Sequence, residues 1–311
     1  MLSLIREFEG SLKMNNLYKR VEHNFIQETS FQKNTFFQRL GKEFKRNKIG
    51  KMCFFILLVI ILLALLAPLS PYNPYEMNAS EKLQNISTIH WFGTDDFGRD
   101  YFTRTLYGGR ISLIVGFGAM IVSILGGSFI GIIAGYIGGV LDKIVMQIIN
   151  IFLAVPSLLL MVVLNSFFDP GLITLILIIS LFSWPYVARI VRSETLSIKN
   201  RDYILASQNL GTGIFKIIFK HIIPNILGTI IVAASTTAAS AILMESTLSF
   251  LGLGVQIPIA SWGSMLQDSQ RYIVKCPTLA IFPSLMIMLT VLSLNVIGDV
   301  IRNGMETKNN A

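Results

Sequence analysis

Apolar residues in this chain are gathered into six long runs with polar stretches between them. The first, 52–70, holds no charged residue. About 20 apolar residues span the hydrocarbon core of a bilayer, so the run predicts a membrane-crossing helix. Pro68 and Pro71 are expected to end it, because proline has no N–H for the next helical hydrogen bond. The stretch 71–110 is rich in Pro, Asn and Asp, too long for a turn and too polar for lipid. Further runs follow at 111–136, 144–164, 172–190, 226–250 and 279–301. The stretch 191–225 is polar and partly basic, and 251–278 is mixed. The fold expected is an all-α integral membrane protein of about six transmembrane helices.

Composition agrees with lipid as the solvent. Of 311 residues, 52% are hydrophobic and 14% charged, with a mean hydropathy of +0.61. A soluble domain carries about 25% charged residues. The net charge of +8 raises nucleic acid as a partner, but its distribution points away from it. Eleven of the 26 Lys and Arg residues precede the first apolar run. Positive charge beside a hydrophobic segment marks the cytoplasmic side, and no nucleic-acid motif is visible. With the N-terminus inside, 20 basic residues fall on cytoplasmic segments and 6 outside. That asymmetry places both termini in the cytoplasm. The layout expected is a basic cytoplasmic segment 1–51, a first helix 52–70 and an extracytoplasmic loop 71–110. A five-helix core 111–302 follows, with a cytoplasmic loop 191–225 and a tail 303–311. An apolar run that starts only at Met52 lies too far along for a cleaved secretory leader.

The second run carries Gly127, Gly131 and Gly135, two overlapping G-x-x-x-G units on one helix face. Small residues there let helices approach closely, which drives association in lipid. The fifth run has a similar small stripe from Ala233 to Ala241. Such stripes more often mean packing than a substrate path.

Catalytic chemistry is not visible. There is no phosphate loop, no H-E-x-x-H and no G-x-S-x-G. His23, His90 and His221 are scattered, and Cys53 and Cys276 have no metal-ligand spacing, so no metal, cofactor or catalytic residue is expected. A secondary carrier would need ionisable groups inside its spans and inverted repeats, and a membrane hydrolase a nucleophile–base set. None is apparent, so energy must come from elsewhere.

The stretch from Asp202 to Asn225 reads as two short helical patterns, 201–209 and 213–221, hinged at Gly211 and stopped by Pro224. In the second, Ile214, Phe215, Ile217, Ile218 and Phe219 oppose Lys216 and Lys220. Such a hairpin could lie on lipid headgroups or dock into a partner's groove. It resembles the coupling loop of bacterial ABC importer permeases, with Ala206, Gly211 and Pro224 at that loop's spacing. Leu205 and Ser207 stand where the family often has Glu and Ala. The loop set is Asp202, Tyr203, Leu205, Ala206, Ser207, Leu210, Gly211, Phe215, His221 and Pro224.

Two further segments narrow the resemblance. Trp91, Gly93, Thr94, Asp95, Gly98, Arg99 and Asp100, continuing to Arg110 and Ser112, look like the signature after the first span of the dipeptide/oligopeptide/nickel permease family. Read without the family, they form a polar turn open to Asp–Arg pairing. Glu245, Leu248, Ser249, Gly252, Gly254 and Gln256, then Trp262, resemble that family's segment after the fifth span. Alone, Glu245 reads as a carboxylate near the outer membrane face. The resemblance covers about 40–305 and points to the second-type permease of the pair. It implies a noncatalytic half-pore that imports oligopeptides or dipeptides by alternating access, with nickel or a metallophore as the alternative cargo. The partners implied are a second permease, two ATPases that use ATP and Mg, an extracytoplasmic binding protein and the lipid of a bacterial cytoplasmic membrane.

Overall fold

The structure, a computed structural model, describes residue 41 and residues 43–306. Most of the basic segment 1–51, with His23, and the end of the tail lie outside the described residues. Helix α1 is Lys48–Leu65, and Asn47 caps it by accepting from the Gly50 N–H at 2.9 Å. It starts a turn before the apolar run because the cap, not hydropathy, sets a helix start. It also stops earlier than expected: Ala67–Leu69, with Pro68, is a separate 3-10 turn.

Helix α2, Tyr101–Ile137, is 37 residues long and begins ten residues before the expected span. Asp100 Oδ2 accepts the Thr103 N–H at 2.8 Å and fixes that start. Thr103, Arg104 and Thr105 are buried in protein, not lipid, so hydropathy alone misplaces the boundary. Arg110 therefore lies inside α2, not in the preceding loop. At about 1.5 Å per residue α2 is about 55 Å long, well beyond the ~30 Å hydrocarbon core.

The single third span expected at 144–164 is broken. Helices α3, Gly139–Ala154, and α4, Ser157–Asn165, meet at 83° across Val155 and Pro156, where proline removes a helical donor. Helix α5, Leu172–Lys199, runs past the expected end at Ile190. Its Arg192 is held there by both carboxylate oxygens of Asp142 on α3.

After α6, Asp202–Asn209, and α7, Ile214–Ile217, the chain passes through a π turn, Ile218–Ile222, into α8, Ile223–Phe250. Pro224 was expected to stop the second hairpin helix, but it sits in the first turn of α8 instead. Without an N–H it cannot complete an i→i−4 bond, and the chain widens: the Ile223 N–H donates to Ile218 O, five residues back. Helices α9, Trp262–Ser269, and α10, Thr278–Glu306, are the last helices among the described residues, and α10 carries the start of the expected tail. Among the described residues five helices are long and apolar enough to cross a membrane, or six if α3 and α4 form one bent span.

Helices α2 and α5 share the largest interface. A Cβ on Gly131 would lie 2.6 Å from the Ala188 carbonyl oxygen, and one on Gly135 2.9 Å from that of Arg192. Gly127 faces the Trp184 carbonyl in the same way, at 2.8 Å. The glycines let the two backbones touch along two turns. Large apolar side chains such as Phe55, Leu125, Phe129 and Ile173 face outward, as a lipid solvent requires.

A bare apolar hairpin and a polar crown at opposite ends of one helix

The two candidate regions sit at the two ends of α2. At its Ile137 end, α6 and α7 fold back on the bundle. Ile204, Ile217 and Ile222 are buried in a cluster with Tyr136, Ile132 and Ile198. Gln208 Nε2 donates to Tyr136 Oη at 3.2 Å, and Lys199 Nζ lies 5.6 Å from the centre of the same ring. Gly211 turns the hairpin at φ +75°, a left-handed angle that suits glycine. Its N–H donates to Gln208 O, and the Thr212 N–H to Ser207 O.

The opposite face is bare. Leu210 is 85% exposed, Phe215 77% and Phe219 68%, with Tyr203, Leu205 and Ile214 beside them. Asp202 and Ala206 are also exposed. Ser207 Oγ donates to Tyr203 O, and the His221 ring lies near that of Tyr203. Pro224 is exposed at the start of α8.

At the Tyr101 end, the segment between α1 and α2 folds into a crown around Asp95. Asp95 Oδ1 accepts the Phe97 and Arg99 N–H groups at 2.9 Å, and Oδ2 faces Arg99 Nε at 2.6 Å and Arg104 Nε at 3.2 Å. Thr94 Oγ1 donates to Glu81 O and accepts from the Gln84 N–H. Gly93 and Gly98 take φ of +76° and +75° where the chain passes close to Gln84 and Asn78. Asp100 pairs with His90 Nδ1 at 2.8 Å while capping α2. His90, read from sequence as an ordinary loop residue, is buried. Arg110 stands apart from this turn and lies over the Tyr107 ring.

Below the crown, α9 is pinned to α2 and α8. Glu245 is fully buried inside α8 and accepts from Ser112 Oγ at 2.9 Å and Ser249 Oγ at 2.7 Å. The Ser112 hydroxyl also accepts the Trp262 N–H at 3.2 Å. The Trp262 indole donates to Thr105 O at 3.0 Å and packs on Gly109, where a Cβ would come within 2.8 Å of the ring. Leu248 is buried with Val255, Gly252 turns at φ +84°, and Gly254 packs on Ser249. Gln256 Nε2 donates back to Gly254 O at 3.2 Å.

Beside this knot is a cavity of about 610 Å³, its walls formed by Arg104, Gln256, Ile257, Gln267, Asp268 and Arg271 among others. Surrounding protein pushes the Asp268 carboxyl up, and the Arg104 charge opposes that rise. Asp96 is raised for the same reason, with Asp95 adding to it. Arg104 and Asp268 escaped sequence reading because only the fold brings them to one cavity, and His90 because its pairing with Asp100 forms only when the crown folds. Arg104 carried no signal of its own, because it and its neighbours Thr103 and Thr105 read as loop residues.

The family described as the inner membrane component of binding-protein-dependent transport systems matches residues 127–308. The chain belongs to this permease family. A second family, described as the N-terminal transmembrane domain of oligopeptide transport permease C, matches residues 35–85. Relatives of the permease include a dipeptide transport system permease protein of Bacillus subtilis, 42% identical over 87% of this chain and 85% of the relative. An oligopeptide transport system permease protein of the same organism is 44% identical over 71% and 73%. A glutathione transport system permease protein of Pectobacterium atrosepticum is 39% identical over 71% and 74%. The permease is thus a multi-pass inner-membrane protein and a subunit of an ABC importer.

Proposed function

We propose that this permease is the second-type subunit of an ATP-driven peptide importer and forms half of its translocation path. The observation that carries the reading is the bare apolar hairpin, Leu210, Phe215 and Phe219, held on the end of a long helix whose other end bears a folded polar crown. A chain without a phosphate loop needs outside energy, and the hairpin is the surface that would receive it. The names of the relatives, dipeptide, oligopeptide and glutathione permeases, favour peptide over nickel as cargo.

In this reading the hairpin seats in one of two ATPase subunits, which bind ATP and Mg. A second, homologous permease completes the pore, and an extracytoplasmic binding protein delivers cargo to the crown. Both termini and the hairpin lie in the cytoplasm. ATPase closure moves α6 and α7, and their packing on Tyr136 passes the motion into α2. Because Asp100 caps α2 and Arg104 lies in its first turn, the crown responds to the hairpin and access alternates. The residues named are levers and walls, not reactants.

A labelled dipeptide offered to cells lacking this permease tests the proposal. Uptake should fall to background and return with the intact chain, while nickel uptake stays unchanged. A loss of nickel uptake with peptide uptake intact would overturn it.

A further inference from the structure

The 610 Å³ cavity beside α9 falls in the range of small-ligand sites and carries fixed charges of both signs. Asp268 and Arg271 are both exposed on its wall, three residues apart where α9 passes into a 3-10 turn. That spacing brings side chains within about 5–6 Å of each other on a helical surface. Even so, no ion pair joins these two among the described residues. Arg104 is 4% exposed and forms the cavity floor; its Nε lies near Asp95 but makes no hydrogen bond, and its Nη1 donates to Pro74 O. Gln256 and Gln267 line the same space, the Gln256 Nε2 donating to Gly252 O and Gly254 O. A carboxylate, two guanidiniums and two glutamines within one small cavity suit a ligand with an ammonium, a carboxylate and peptide groups between them.

We infer that this cavity binds a short zwitterionic peptide, its ammonium on Asp268, its carboxylate on Arg271 and its amide groups against Gln256 and Gln267. Two extended residues span at most about 7 Å, comparable with the about 5–6 Å that this spacing puts between Cβ atoms before the side chains extend. The inference rests on the peptide-import reading and adds to it a cargo site within the permease, separate from the site on the binding protein.

The test uses the whole transporter in nanodiscs, without the binding protein, and Ile257→Cys as a reporter on the cavity wall. The native Cys53 and Cys276 are buried, so the reporter dominates labelling by a hydrophilic maleimide. The dipeptide Ala–Phe, at ten times its half-protecting concentration, should slow labelling about tenfold. N-acetyl-Ala–Phe-amide should not slow it. Asp268→Asn and Arg271→Gln should each raise the half-protecting concentration about tenfold or more, since each removes a charge-assisted hydrogen bond. Arg271→Lys, which keeps the charge, should retain protection.

Equal protection by the blocked peptide would overturn the inference, as would no change in either variant. So would a complex that imports Ala–Phe with its binding protein yet shows no protection, and in that case the import reading still stands. If the wild-type complex imports no peptide at all, the import reading fails first and this one with it.

Discussion

Single residues decide how closely the helices of this permease approach. Gly131 packs where a Cβ would lie 2.6 Å from the Ala188 carbonyl oxygen, an atom that cannot swing aside. Overpacking of this kind costs about 1–3 kcal/mol, and a leucine forced against the α5 backbone falls at or above the top of that range. Gly131→Leu should therefore sharply reduce the assembled complex recovered from membranes; normal assembly and transport would mean that α2 and α5 do not touch there. The buried carboxylate Asp95 makes the opposite case. Asp95→Asn would leave Arg99 and Arg104 without their shared charge, and breaking a buried pair costs about 3–5 kcal/mol. Limited proteolysis should then cut the crown between Ser70 and Asp100 well before the wild type is cut; an unchanged cleavage rate would contradict this account of the crown.

Helical elements were legible in the sequence wherever hydropathy and capping agree. The first, fourth, fifth and last spans appear at their apolar runs, and the left-handed turn at Gly211 falls where the two short patterns meet. The readings slip where protein replaces lipid around a helix. The start of α2 was hidden because Thr103, Arg104 and Thr105 look like loop residues until the crown buries them. The 83° break at Pro156 had its proline in plain view, but the apolar run on both sides masked it. The approach of Asp268 to Asp95 and Arg104 was out of reach, because more than 150 residues separate it from them in the chain. Within the hairpin, the buried face holds the fold and the bare face is free to dock. Phe215→Ala and Phe219→Ala should leave permease yield unchanged while weakening co-purification of the ATPases. Each buried aromatic contributes about 1.5–3 kcal/mol to such a contact. Equal recovery of ATPase in both variants would mean that this face lies on lipid instead.

For the whole molecule, the account requires the hairpin in the cytoplasm and the crown outside. An impermeant thiol reagent on intact cells should label Asn78→Cys and spare Thr212→Cys; the reverse pattern would invert the topology. The central claim is that movement of an ATPase reaches the pore through Gly211 and its two helices. Asp and Asn both tolerate the left-handed angle there, so Gly211→Asn and Gly211→Asp differ mainly in a charge placed at the docking face. The most direct measurement is peptide uptake and ATP hydrolysis together, in vesicles holding both permeases, both ATPases and the binding protein. The account predicts ATP-dependent peptide accumulation by the wild type and most of it by Gly211→Asn. With Gly211→Asp, peptide-stimulated hydrolysis and uptake should both collapse in complexes that still assemble. Assembled Gly211→Asp complexes that pump at the wild-type rate per ATP would contradict it.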